Sequence, residues 1–188
     1  SAMEGRRGPV WLDVPIDVQN RQAPERMKGF DIPEDKKTDA EISSEALERL
    51  AKSEKPLVLA GFGVRASGSA GKLLEFCDKQ NIPVVTSRGG IDVITTDNPL
   101  FVGRPGSYGD RASHFAIQEC DFMLILGSRL SVSTIGYYPD RFGKNAYKVM
   151  ADIDRKEIDK RDVPVDENYN CDLSDFIDNL SDLSLIHI

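Results

Sequence analysis

Residues 55–87 read KPLVLAGFGVRASGSAGKLLEFCDKQNIPVVTS. The order is apolar run, glycine-rich turn, helical pattern, apolar run. PLVLA (56–60) and IPVVTS (82–87) are short and almost continuously apolar, as strands covered on both faces are. Between them Ala70, Leu73, Leu74 and Cys77 fall at i, i+3, i+4 and i+7, one face of a helix. A strand, a crossover helix and a second strand make a parallel pair.

The same alternation continues outward. FMLILGS (122–128) and AYKVMADID (146–154) predict two more buried strands. Ala112, Phe115 and Ala116 predict the buried face of the helix before them. DVPVDENYNCDLSDFIDNL (162–180) gives a weak last strand and a helix starting near Asp172. The expected fold is α/β, a Rossmann-like parallel sheet with helices on both faces. Upstream, Ser43 or Ser44 caps a helix over EALERLAKS, with Leu47, Leu50 and Ala51 on one face. Residues 43–182 are therefore read as the domain. Residues 20–42, rich in Pro, Asp, Lys and Glu, are read as a linker. PVWLDVP, within residues 1–19, is an apolar run with nothing before it to pair with, and this end is read as cut from a longer chain. LSLIHI (183–188) matches a translated sequencing adaptor and is read as a non-native tail. His187 is therefore set aside.

Bulk properties remove several functions. A net charge of −7 over 188 residues argues against sequence-independent nucleic-acid binding, which needs a basic face. No apolar run has membrane-spanning length and no signal peptide is recognisable, so a cytoplasmic location is expected. Cys77, Cys120 and Cys171 lie far apart, without disulfide or zinc spacing; Cys77 and Cys120 read as small core residues.

Gly61, Phe62, Gly63, Val64, Arg65 and Ala66 fit G-x-G-x-x-A between a strand and a helix, the context in which that pattern meets phosphates. A helix start adds N–H groups and partial positive charge. The nicotinamide version needs an acid at the end of the second strand. This one ends Thr86-Ser87-Arg88, which argues against NAD and permits a phosphate or another nucleotide. A Walker A loop is excluded, because Leu73 follows Gly71-Lys72 where Ser or Thr is required. The competing reading makes Gly61 and Gly63 plain turn glycines. Two further loops leave neighbouring strand ends: Gly106, Ser107, Tyr108 and Gly109, and Ser128 with Arg129. Asp152 and Ile153 end the next strand. In open parallel sheets the ligand crevice lies outside these carboxyl ends. No nucleophile sits beside a base, and His114 reads as a surface or packing residue, so the catalytic inventory is empty.

Together, GRRGPVWLDVPIDVQ, the segment PLVLAGFGVRASGSAGKLLEFCDKQNIPVVTSRGGIDVITTDNPLFVGRPGSYGDRASHFAIQECDFMLILGSRL, and KVMADIDRKEID resemble thiamine-diphosphate-dependent enzymes of the acetolactate synthase (acetohydroxyacid synthase) large-subunit type. The likeness runs from Gly5 to about Leu180. It implies a three-domain parent, with residues 1–19 the C-terminal remnant of its pyrimidine-binding domain and residues 43–182 its central domain, that decarboxylates a 2-keto acid such as pyruvate and transfers the two-carbon remainder to a second carbonyl. It also implies thiamine diphosphate and magnesium bound outside this segment, flanking domains as partners, and a homodimer or tetramer. By that likeness Gly61, Phe62, Gly63, Arg65, Thr86, Ser87, Gly106, Ser107, Tyr108, Gly109, Ser128, Arg129, Asp152 and Ile153 lie near a nucleotide, FAD in the flavin-containing members. Arg88 joins them from the reading of the second strand's end. Two departures bear on the flavin. GSYGD (106–110) stands where flavin members carry G-M-H-G-T, and LSVST (130–134) where they carry a D-D-R run. FAD, another nucleotide such as ADP, and an empty architectural domain therefore remain as alternatives.

Overall fold

The computed structural model describes residues 8–23, 40–160 and 162–184, with Ala2, Arg6 and Gly29. The chain divides into two compact units, residues 1–36 and 37–188. In the first, PVWLDVP forms no strand, and Pro15 leads into one helical turn, α1 (Ile16–Gln19). Gln19 Nε2 donates to the Val14 carbonyl at 2.7 Å. Trp11 is 93% exposed. Most of the expected linker and the last four residues of the expected tail, 185–188, lie outside the described residues.

The second unit carries six parallel strands: β1 (Pro56–Ala60), β2 (Val84–Thr86), β3 (Phe101–Gly103), β4 (Phe122–Leu126), β5 (Tyr147–Asp152) and β6 (Glu167–Asn170). Their order is β3-β2-β1-β4-β5-β6, with every pairing parallel. Consecutive strand residues point to opposite faces, and both faces are covered, so β4 is buried at every position. One core joins Val58, Leu124 and Val149 to side chains of α4 (Ala70–Gln80) and α8 (Leu173–Ser184). The other joins Leu59, Met123, Ile125 and Met150 to Ile117 and Cys120, in and just after α5 (Arg111–Glu119). Each fully buried aliphatic side chain contributes about 1.5–3 kcal/mol.

The four expected strands form, β1 as expected and β2, β4 and β5 shortened at their ends. β3 went unread: it is three residues between Pro99 and Arg104, too short for a period to show. Past the glycine turn the helix is broken into α3 (Phe62–Ala66) and α4, because Gly68 takes φ +73°. Leu73, Phe76 and Cys77 are buried on α4, close to the expected face. The expected face of α5 is corrected. Ser113 and Ile117 are buried, while Ala112 and Phe115 face solvent. Ser113 can be buried because its hydroxyl donates to the Asp110 carbonyl at 2.7 Å, and Phe115 lies under the Arg111 guanidinium.

Upstream, Ser43 caps α2 (Ser44–Lys52), its hydroxyl accepting from the Ala46 N–H. Leu47 and Leu50 pack on the core, while Ala51 is exposed. Ala40 and Ile42, at the end of the segment read as linker, are buried. Leu183 and Ser184 continue α8. All three cysteines are free and buried. Burial pushes the Cys77 thiol up to about 12, which leaves it protonated and unreactive.

Candidate functional site at the carboxyl rim of the sheet

The strand order reverses between β1 and β4, and the crevice of a doubly wound sheet opens outside the carboxyl ends at that point. The loops after β1, β2 and β4 meet there. Gly61 N–H donates to the Leu126 carbonyl at 2.8 Å and Gly63 N–H to the Gly127 carbonyl at 3.0 Å. A Cβ on Gly61 would lie 2.2 Å from the Gly127 oxygen, and one on Gly63 would lie 2.6 Å from the Gly127 Cα. Gly127 itself holds φ +56°. The two turn glycines thus let β1's exit press against β4's exit, backbone on backbone, and their amides are already engaged. The loop after β2 closes on the same place: Gly89 packs against Phe62 and Gly90 against the Ala60 carbonyl.

Around this floor the candidate residues differ in character. Thr86 ends β2 fully buried, and its Oγ1 has no hydrogen-bond partner. Ser87 and Ser128 are buried beside it in sequence order at the ends of β2 and β4. Arg88 is exposed, with no ion-pair partner among the described residues. Arg65 pairs with Asp92 at 2.9 Å and Arg129 with Glu157 at 2.7 Å. Asp152 is buried and accepts from the Asp154 N–H at 2.8 Å, fixing the exit of β5 beside Ile153. Its carbonyl accepts from Cys171 N–H and Asn170 Nδ2. Gly106, Ser107, Tyr108 and Gly109 occupy the loop after β3. Gly106 packs against the Ser133 carbonyl of α6 (Val132–Ile135). His114 Nε2 donates to the Gly106 carbonyl at 3.0 Å, bracing that loop. Tyr108 is 98% exposed.

The rim therefore offers an orphan hydroxyl, three exposed guanidinium groups and short buried hydroxyls. That set suits the phosphates of a nucleotide lying across the outside of the glycine floor. Among the described residues no group of three or more His, Cys, Asp or Glu could hold a metal ion, and no helix is long and apolar enough to cross a membrane. Sequence reasoning missed Glu157, the partner of Arg129. The two lie 28 positions apart with only their charges to connect them.

A six-stranded, all-parallel, doubly wound sheet defines a Rossmann-like type of α/β domain. Residues 43–180 match the model of the thiamine pyrophosphate enzyme central domain, and the chain belongs to that family. It is 33% identical over 180 residues to the acetolactate synthase large subunit of Lactococcus lactis, covering 92% of this chain and 31% of that protein. The large subunit of Escherichia coli acetolactate synthase isozyme 2 is 32% identical over 161 residues, covering 85% of this chain and 29% of that protein. The chloroplastic acetolactate synthase 1 of Zea mays is 31% identical over 169 residues, covering 87% and 26%. The chain spans about a third of the length of the relatives it matches.

Proposed function

We propose that this chain is the central domain of a thiamine-diphosphate-dependent enzyme that decarboxylates a 2-keto acid and joins the remainder to a second carbonyl. The collinear match over residues 43–180 carries this reading. Thiamine diphosphate, when bound with magnesium, supplies carbanion stabilisation; the residues holding both belong to parts of the enzyme outside these 188 residues. The parent is a homo-oligomer of the cytoplasm.

Within this domain the rim takes a nucleotide, FAD or an ADP-like ligand. Thr86, Ser128 and Arg88 hold its phosphates from above the glycine floor. Calorimetric titration with FAD, ADP and NAD tests this. Saturable binding of FAD or ADP, weaker for NAD and reduced about tenfold by Arg88→Ala, is expected. A second reading has its own support: the contact of Gly61 and Gly63 with Gly127 explains these glycines by packing alone. If no nucleotide binds, the domain is architectural and the rim serves contacts with the rest of the enzyme.

A further inference from the structure

A pocket of about 330 Å³ opens between β5, α7 (Arg155–Asp159) and the segment entering β6. It lies away from the reversal between β1 and β4. Of the candidate rim residues only Arg129 lines it. Its floor is apolar: Leu130, Met150, Ile158 and Val163 line it and are buried. Leu130 holds φ +48°. A branched residue rarely adopts that conformation, and such strain persists where the surroundings impose it, often at ligand sites. Here it buries Leu130 while its neighbour Arg129 stays exposed.

The lining also carries two ion pairs. Arg129 meets Glu157 at 2.7 Å through Nε, and Lys160 meets Asp162 at 3.1 Å. The Glu157 side chain is only 10% exposed, against 70% for Arg129. The acid is therefore the sheltered member and the guanidinium the accessible one. Held at Nε, Arg129 keeps two terminal amino groups without another partner among the described residues. That is half of a bidentate pair with a carboxylate.

We propose that this pocket binds a small monoanionic carboxylate with a compact apolar body. The body rests on Leu130, Met150 and Val163, and the carboxylate meets the terminal nitrogens of Arg129. Among the described residues the ionised lining groups are Arg129, Lys160, Glu157 and Asp162. A single negative charge can meet Arg129, whereas the second charge of a dianion would lie closer to Glu157 and Asp162. An ammonium ligand finds its natural partner, Glu157, sheltered and engaged. The volume is at the small end of the range for ligand pockets, so the body is a few carbons across. This inference does not rest on the nucleotide reading. Val165→Trp, filling the pocket, acts on the carboxylate alone, while Arg88→Ala acts on the nucleotide alone.

The test is a methyl NMR titration of the 188-residue chain with 4-methylpentanoate, its uncharged amide, and 3-methylbutyl phosphate. Saturable shifts at Leu130, Met150 and Val163 are expected for the carboxylate, with the amide and the phosphate ester each about tenfold weaker. Arg129→Ala, a change at an exposed side chain, should weaken the carboxylate to the level of the amide. Val165→Trp should remove the shifts with the fold intact by circular dichroism. No saturable shift with the carboxylate, equal binding of the amide, tighter binding of the phosphate ester, or no effect of Arg129→Ala overturns the proposal.

Discussion

At Thr86 a single atom sets stability against the proposed binding. Its hydroxyl is fully buried at the end of β2 and unpaired, and a buried polar group without a partner costs about 1–3 kcal/mol. Thr86→Val keeps the branched shape and removes the oxygen. The chain alone should gain about 1 kcal/mol in urea unfolding, while the affinity for ADP falls. A destabilised variant, or one binding ADP unchanged, would refute the hydroxyl's role as a ligand contact. Glycines at the same rim separate by geometry. Gly61→Ala puts a methyl 2.2 Å from the Gly127 oxygen and should cost about 1–3 kcal/mol. Gly71, in the first turn of α4, has open space around its missing Cβ, so Gly71→Ala should stabilise by about 0.5 kcal/mol. The two variants in one unfolding series check both signs. The G-x-G pattern was legible as a close backbone approach. What approaches was not, because Gly127 lies 64 positions after Gly63, and no local spacing links them.

Among the elements, β5, β6 and the start of α2 are clamped by one carboxylate. Glu167 accepts from Ser43 Oγ at 2.8 Å, from Tyr147 at 2.6 Å, and from the Tyr169 hydroxyl. The Arg49 guanidinium lies 4.3 Å over the Tyr147 ring. Partial burial alone would push the Glu167 carboxyl up, but the hydrogen bonds from Tyr147, Tyr169 and Ser43 outweigh it and hold it below the ordinary value. A carboxyl depressed in the folded state contributes stability above its unfolded value, and loses it as pH falls through the folded one. Glu167→Gln should therefore cost about 1–2 kcal/mol at about pH 7, and the gap should narrow at about pH 3. Urea unfolding at both pH values decides it, and an undiminished gap in acid would show that the clamp does not act through charge. Continuous apolar runs made β1, β4 and β5 readable, since burial on both faces leaves that mark. The clamp left none. Its members come from residue 43 and from strand positions more than a hundred residues later, and a serine, two tyrosines and a glutamate look like surface residues until the sheet brings them together.

The whole molecule poses the question of where chemistry resides. Six strands, two cores and the rim are complete within residues 40–184, and the matched region, 43–180, is the central domain of a family whose relatives run about three times longer. Among the described residues at the rim the carboxylates are engaged in ion pairs or turns, Glu157 with Arg129, Asp92 with Arg65, and Asp152 with the Asp154 N–H. His114 braces a loop carbonyl. On the proposed reading this domain positions and binds, and proton transfer at the reacting carbon belongs to other parts of the enzyme. The 188-residue chain, supplied with thiamine diphosphate, magnesium and pyruvate, should therefore consume no pyruvate above the cofactor's own background, while folding cooperatively and responding to nucleotide. The measurement is pyruvate loss over time with matched thermal melts, so that an unfolded sample cannot pass as an inactive one. Turnover by the folded chain would mean that a reaction centre lies within these residues, and the assignment of this domain as a spacer and nucleotide platform would fall with it.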